Sequence, residues 1–204
     1  MAPRKTPDQP ELGKQAAKSR RTQDAILNAV IDLINEGGFA AASSTQIARK
    51  AGVSWGAVQH HFGNKEEILE AVLERSHAAF AQRLGDERYT RGKLETRVDR
   101  FIEAAWGHYQ GTEYPAAMEI LLATRARRGE GQGGIQFDHQ AHLQLWRSVF
   151  HEVTLSDARM QEAIYTVHLM LTGILIQSLL EPAEFEVPRY LKRLKRVVLG
   201  MLME

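Results

Sequence analysis

Several side chains between Ser43 and Lys65 have the chemistry needed to contact a nucleic acid. Gln59 carries an amide, which can donate a hydrogen bond to adenine and accept one from it at the same time. Ser44 and Thr45 carry hydroxyls and Lys65 carries an ammonium, and both kinds of group bind phosphate. These residue types therefore predict contacts with base edges and with a phosphate backbone, provided that the fold holds them on one surface.

Two short helices joined by a tight turn are the elements that must hold them. A hydroxyl at Ser43 or Ser44 can cap the first helix, and Ser54 can cap the second. Gly52 suits the left-handed position where the first helix ends. Apolar residues at helical spacing give each helix an inward face: Ile47, Ala48 and Ala51 in the first, and Val58 and Phe62 in the second. This order of elements is that of a helix-turn-helix unit.

The second helix of such a unit enters the major groove by its N-terminal end. Trp55, Gly56 and Ala57 would then lie close to the bases, and Gln59 would follow one turn later. Gly56 has no side chain and would let the backbone approach. Trp55 is expected either to contact a thymine methyl or sugars, or to pack partly on Phe39.

Residues from Arg20 to Val72 resemble the DNA-binding domain of the TetR family of transcriptional regulators. The resemblance is carried by Ile47-Ala48, Ala51-Gly52-Val53-Ser54, Gly56, His61-Phe62 and Lys65-Glu66. It implies a sequence-specific DNA-binding regulator, most often a repressor released by a small molecule, and not an enzyme. His61 matches a family position that touches phosphate, and His60 beside it is expected to be exposed. Many members have Tyr where Gln59 stands, so the resemblance does not imply an operator sequence.

Composition narrows the function classes further. The 204 residues contain no cysteine, which excludes disulfides and thiolate chemistry and suits a reducing cytoplasm. Neither a cofactor nor a bound metal is expected. His139 and His142 are three residues apart on a predicted helix, but no third ligand is placed near them. The most apolar run, Val167 to Leu180, is expected to be too short and too polar to cross a membrane.

The N-terminal segment from Met1 to Lys18 is expected to be a disordered basic tail. With Ser19, Arg20 and Arg21, it carries six basic side chains against two acidic ones. Two roles remain open for this segment. It is either a solubilising tail or a basic arm that follows a DNA groove.

The whole chain is predicted to be all-α, with about nine helices. A three-helix DNA-binding domain is expected over residues 19–66, with its first helix starting at Ser19 or Thr22 and carrying Ile26, Val30, Leu33 and Ile34 inward. A long helix should open at Asn64 with a capping box to Glu67. Further helices are expected over residues 93–110, 116–128, 135–153, 156–180 and from Pro188 on, with a flexible loop at 129–134.

Residues 67–204 are predicted to form a larger helical domain for ligand binding and dimerisation. The helix ending at Leu180 is apolar on nearly every side, and Gly173 would allow close contact with another helix. The resemblance implies a homodimer through the last two long helices, which suits a palindromic operator in double-stranded DNA. It also implies a pocket for an unidentified small-molecule effector, for which the candidate lining residues are Trp106, Tyr109, Met118, Leu121, Trp146, Phe150, Tyr165 and His168.

Two other functions remain as alternatives. The chain could be a helical enzyme or ligand carrier with a vestigial N-terminal unit, although no acid–base pair or nucleophile–base pair supports that reading. It could also bind DNA without sequence preference, as nucleoid-associated proteins do. The operator, the effector, the regulated genes and the sign of regulation do not follow from the sequence.

Overall fold

The computed structural model describes residues 9–128 and 139–204, and helices make up nearly all of that part of the chain. The described residues form nine α-helices and no strand, which confirms the all-α prediction. The helices are α1 (Gln9–Gly37), α2 (Ser44–Ala51), α3 (Trp55–Phe62), α4 (Lys65–Leu84), α5 (Leu94–Tyr109), α6 (Glu113–Arg128), α7 (His139–Val149), α8 (Asp157–Leu180) and α9 (Val187–Met203). Two single 3₁₀ turns, Phe39–Ala41 and Glu87–Tyr89, lie before α2 and α5.

The chain divides into two compact units. The first contains the described residues up to Leu73 together with α6 from Ala116, and the second contains Glu74–Pro115 and the described residues from His139 on. Both divisions fall inside helices, because α4 and α6 each contribute residues to both units. The sequence-based boundary was placed between residues 66 and 67, and it assigned all of α6 to the second domain.

In the first unit, α1 packs against α2 and α3. The predicted apolar stripe of α1, which is Ile26, Val30, Leu33 and Ile34, is buried. Leu27, Ala29 and Ile31 of the same helix are buried as well. Ile47 of α2 and Val58 of α3 are also fully buried. Because burial of one such side chain contributes about 1.5–3 kcal/mol, these contacts fix the angle between the two short helices.

Helix α1 begins earlier than the sequence pattern predicted. Its first residue is Gln9, so the expected start at Ser19 or Thr22 is wrong, and residues 9–18, expected to be disordered, are helical. The residues from Lys14 to Lys18 are exposed, and most of them are good helix formers. Pro10 lies in the first turn, where its missing N–H costs nothing. Intrinsic propensity therefore extends the helix without burying apolar surface.

The second unit is built around α5 and α8. Helix α5 packs against α8 and α9, and α8 packs against α7 and α9. A cluster of three aromatic rings fills the core, with ring centroids 4.9 Å apart for Phe101 and Trp146, and 5.2 Å apart for Trp146 and Phe150. Leu194, Val198 and Leu202 of α9 are buried in the same core, and Leu191 and Met201 pack partly buried against it.

Some boundaries in the second half differ from the sequence prediction. Helix α6 begins at Glu113, so Pro115 lies within its first turn and does not break the chain. Helix α7 ends at Val149, where the fully buried Arg97 donates to the Val149 carbonyl at 2.9 Å. The predicted loop at 129–134 and residues 135–138 of the helix predicted after it lie outside the described residues.

Helix α8 has the bounds predicted for it, with Ser156 as its cap and Leu180 as its last residue. It has 24 residues and a mean hydropathy of 1.7, so by length and composition it could cross a membrane, contrary to the earlier expectation. The core helix of a soluble protein passes the same test. Here seven of its residues are buried against the second unit, including Met160, Ile164, Val167 and Leu171. Its apolar character is explained by packing against α5, α7 and α9.

Candidate nucleic-acid interface and ligand cavity

Three capping interactions position the helix-turn-helix. The Ser43 hydroxyl accepts from the Gln46 amide at 3.4 Å, so Ser43 and not Ser44 is the cap of α2. Gly52 ends α2 in the left-handed conformation, with φ 70° and ψ 27°. The Ser54 hydroxyl accepts from the Ala57 amide at 3.2 Å and caps α3. Because a cap contributes about 1 kcal/mol, the sequence defines both helix starts locally.

The outer face of α3 carries the side chains predicted to read bases. Gln59 and His60 are exposed, and so is Gly56, while Trp55 and Ala57 are half-buried. Val58 is fully buried and anchors the opposite face of the helix. The amide of Gln59 therefore projects from the surface of the domain, one turn after the capped N-terminus.

Most of the residues predicted to contact phosphate lie at helix starts near this face. Thr45 is exposed and Ser44 half-buried, and they stand in the first turn of α2. Lys65 is the first residue of α4, and its ammonium lies 5.1 Å from the centre of the Phe39 ring. His61 is half-buried beside the exposed His60, with ring centroids 5.5 Å apart. Free N–H groups at helix N-termini attract anions, which favours phosphate contacts there.

Asn64 caps α4 as predicted, but the reciprocal half of the capping box is absent, because the Asn64 N–H donates to the Phe62 carbonyl. Asn64 Oδ1 accepts from the Glu67 amide at 3.0 Å, and Asn64 Nδ2 donates to Glu67 Oε1 at 2.7 Å. Nearby, the backbone N–H of Phe39 donates to a carboxylate oxygen of Glu119 on α6 at 2.8 Å. The 3₁₀ turn before α2 is therefore held by a side chain that is distant in the sequence, which the sequence analysis did not foresee.

A small cavity of about 30 Å³ lies in the second unit between α4, α5, α7 and α8. Apolar and aromatic side chains form most of its wall, and the ring nitrogens of two histidines and one phenol hydroxyl supply polar atoms. The lining residues are Phe80, Phe101, Tyr109, His142, Trp146, Ile164, Val167, His168 and Leu171.

Three of the predicted effector-binding residues line this cavity: Tyr109, Trp146 and His168. Phe150 is buried next to Trp146, and Trp106 packs half-buried against the same core. Tyr165 lies on the exposed side of α8. Met118 and Leu121 belong to the first unit and do not line this cavity. The sequence pattern did not indicate the remaining lining residues. For His142 and Phe80, the sequence shows that each lies on a helix face with apolar and aromatic neighbours.

Hydrogen bonds connect the polar groups at the cavity. The Tyr109 hydroxyl lies 2.7 Å from His168 Nδ1, and the Tyr114 hydroxyl lies 2.8 Å from the Thr172 hydroxyl. The two tyrosine rings are stacked with centroids 3.9 Å apart. Burial raises the pKa of Tyr109 well above its ordinary value, so this phenol keeps its proton and can donate it in a hydrogen bond.

Burial favours the neutral form of two histidines near the cavity, His108 and His168. Burial lowers the pKa of His108 to about 4, and the positive charge of Arg83 and the ring of His77 add to the effect. Burial also lowers the pKa of His168, with smaller contributions from His142 and His77. No three histidine, aspartate or glutamate side chains of the described residues are arranged to hold a metal ion.

Helices α8 and α9 expose an apolar surface. On α8 it follows one stripe, with Tyr165, Leu169, Gly173, Ile176 and Leu180 at helical spacing, and Leu169 and Leu180 are 67% and 71% exposed. A Cβ atom at Gly173 or at Gly200 of α9 would meet nothing within 4 Å. Exposed apolar area of this kind marks an interaction surface.

Comparison with known proteins agrees with this architecture. Residues 26–72 match the model of the family described as bacterial regulatory proteins, tetR family. The HTH-type transcriptional regulator BetI of Escherichia coli is 27% identical over 184 residues, which cover 88% of this chain and 91% of BetI.

Two solved structures share the fold. A putative tetR-family regulator from Mesorhizobium loti has a TM-score of 0.66 at 15% identity, covering 91% of this chain and 96% of that one. SmeT, the repressor of the Stenotrophomonas maltophilia multidrug efflux pump SmeDEF, has a TM-score of 0.58 at 23% identity, covering 88% and 91%.

The capped helix-turn-helix and the second helical unit define a DNA-binding transcriptional regulator. Residues 26–72 carry the N-terminal domain of the tetR family of bacterial regulatory proteins. Proteins of this family act as regulators and are not enzymes.

Proposed function

We propose that this regulator binds a palindromic operator as a homodimer in the cytoplasm, represses transcription there, and is released by a small-molecule effector. The observation that carries the DNA-binding part is the exposed Gln59 on a helix whose start is fixed by Ser54 and whose inner face is anchored by Val58. SmeT is a repressor of a multidrug efflux pump, which supports the same sign of regulation here.

In this proposal the DNA contacts have two roles. Gln59 reads a base, with Trp55, Gly56 and Ala57 beside it at the groove. The other contacts set the position on the backbone, and they come from Ser44, Thr45, His60, His61 and Lys65. The apolar stripe of α8, continued by Tyr190, Val197 and Met203 on α9, supports a dimer through these two helices.

The first prediction distinguishes the base contact of Gln59 from the phosphate contact of Lys65. Footprinting on the DNA upstream of the coding region should show a protected palindrome. Gln59→Ala should then relax the preference at one base pair per half-site, at a cost of about 1–3 kcal/mol. Lys65→Ala should weaken binding to every sequence and reduce the slope of log K against log salt by about one.

Two control variants sit in the same domain. Asn28→Ala removes an exposed amide on α1, and Lys50→Ala removes an ammonium that is paired with Glu36 at 2.6 Å. Both should leave base preference and salt slope unchanged. Unchanged base preference in Gln59→Ala would remove Gln59 from the reading role, and protection without any preferred sequence would favour a nonspecific DNA-binding protein.

A further inference from the structure

Rings from four different helices meet around the cavity, and four of them are imidazoles. His77 of α4 and His142 of α7 have ring centroids 6.0 Å apart. The Phe80 ring lies between two of these histidines, 6.1 Å from His142 and 5.1 Å from His108 of α5. His168 of α8 completes the set on the cavity wall with His142. Each helix around the cavity therefore supplies one imidazole.

A positive charge lies close to these imidazoles. Arg83 of α4 lies against α5, since its Nη1 atom is 2.9 Å from where a Cβ atom at Gly107 would stand. This charge contributes to lowering the pKa of His108, after burial. Glu113 at the start of α6 is paired with Arg75 at 2.9 Å.

The cavity also offers donors for a negative oxygen. Tyr109 is a buried phenol that keeps its proton and is hydrogen-bonded to His168. A neutral imidazole has one N–H, and a protonated one has two. Bonds from such donors to a charged oxygen are about twice as strong as bonds between neutral groups.

We propose that the effector bound in this cavity is an organic anion, a carboxylate on a flat apolar body. Its negative group would lie at His142, His168 and Tyr109. Its body would lie against Phe80, Phe101 and Trp146. This inference rests on the proposed function, because it assigns a chemical class to the effector of the same cavity.

A cation held by the aromatic faces is the competing chemistry. Arg83 opposes it, because its guanidinium keeps its charge at every physiological pH and each protonated imidazole adds to the repulsion. An anion has the opposite effect. It favours the protonated imidazoles, so the complex binds more protons than the free protein, and anion affinity must increase as the pH falls.

Binding must also widen the cavity. A volume of about 30 Å³ holds about one water molecule, which is far smaller than any aromatic acid. Phe80 and His142 are only partly buried, so these two wall residues can move without opening the core. The ring cluster of Phe101, Trp146 and Phe150 is buried and is expected to remain in place.

The test uses three molecules that share one shape and differ in charge: benzoate, benzamide and benzamidine. Binding to the full chain is followed by quenching of the Trp146 fluorescence and by calorimetry in two buffers of different ionisation enthalpy. Benzoate should bind about tenfold more tightly than benzamide, and benzamidine should bind most weakly. Benzoate affinity should increase from about pH 8 to about pH 6 with measurable proton uptake, while benzamide affinity should not change.

Substitutions test which residues cause the preference for benzoate and its pH dependence. His168→Gln should remove most of the preference for benzoate and its pH dependence, while benzamide binding and the melting temperature report whether the variant is folded. If His168→Gln does not fold, His142→Gln at the partly exposed edge is the second variant. His151→Gln is the matched control, because His151 is exposed and does not line the cavity.

Each of the other outcomes overturns the inference. Equal binding of benzoate and benzamide would show a cavity that is indifferent to charge, and tightest binding of benzamidine would show a cation site. A ligand of this size that gains about 0.3 kcal/mol per heavy atom has a Kd of about 10 mM. The absence of binding by any probe up to that concentration would also refute the inference. None of these results affects the operator footprint, so the proposed repressor function stands or fails separately.

Discussion

At the scale of single residues, local chemistry explains most of the DNA-binding surface. Ser43, Ser54 and Asn64 each cap a helix through their own side chains, and Gly52 takes a backbone conformation that other residues rarely adopt. Local chemistry does not explain the positions of the buried polar residues. His108 lies 7% exposed with its Nε2 atom 3.5 Å from the Ser76 hydroxyl, and only the packing of several helices puts it there.

The pH dependence of folding provides a test of that burial. His108 has a pKa of about 4 in the folded chain, below the ordinary 6.5 of the unfolded chain, so the unfolded chain binds more protons between these values. Stability should therefore decrease as the pH falls from about 6.5 towards 4, by about 1–2 kcal/mol at pH 5. His168, whose pKa is also lowered, contributes with the same sign. Urea unfolding of wild type and His108→Gln at pH 7.5 and pH 5 measures the effect.

The variant should show a smaller loss between the two pH values than the wild type does. His151→Gln, which alters an exposed histidine, should behave like the wild type. An identical pH dependence in His108→Gln and wild type would mean that His108 titrates normally in the folded protein.

At the scale of elements, α8 has two roles that its composition alone does not separate. One side is buried against α5, α7 and α9, and the other side exposes the stripe from Tyr165 to Leu180. An apolar helix in a soluble protein needs cover on both sides. A second copy of the chain would supply it by a self-complementary contact of the same helix.

The dimer prediction follows from that stripe. Gly173→Arg puts a long charged side chain where a Cβ atom now meets nothing within 4 Å, so the monomer should fold and the dimer should fail. Sedimentation of the variant should give monomers, while Gln144→Arg, an exposed change on α7 outside the stripe, serves as the control. A stable dimer of Gly173→Arg would place the interface elsewhere.

At the scale of the whole molecule, the two helices shared between the units are candidates for coupling. The first turn of helix α6 contains Tyr114, whose ring stacks on Tyr109, and the helix continues to Glu119, whose carboxylate accepts a hydrogen bond from the Phe39 N–H. Movement of the cavity wall would then reach the turn before α2 through one continuous helix. Helix α4 likewise carries Lys65 at one end and Phe80 near the other.

The coupling prediction uses benzoate and operator DNA together. Effectors of this kind change affinity by about 5- to 150-fold, and operator DNA must weaken benzoate binding by the same factor. Glu119→Ala removes the acceptor of the Phe39 N–H and should reduce this factor by about fivefold while benzoate still binds. Titrations of benzoate with and without operator measure it, with Glu162→Ala as an exposed control. An unchanged factor would show that the signal does not pass through Glu119.

The helix-turn-helix could be predicted from the sequence, because caps, glycine and spacing act between residues close in the chain. The all-α class and the inward face of α1 could be predicted as well. Which rings meet at the cavity depends on tertiary packing: Tyr109 and His168 are 59 residues apart, and helix packing brings their polar atoms to 2.7 Å. The same holds for Glu119 at Phe39, 80 residues away, and for Arg97 at the end of α7. Such contacts depend on the angles between helices, which no local pattern specifies.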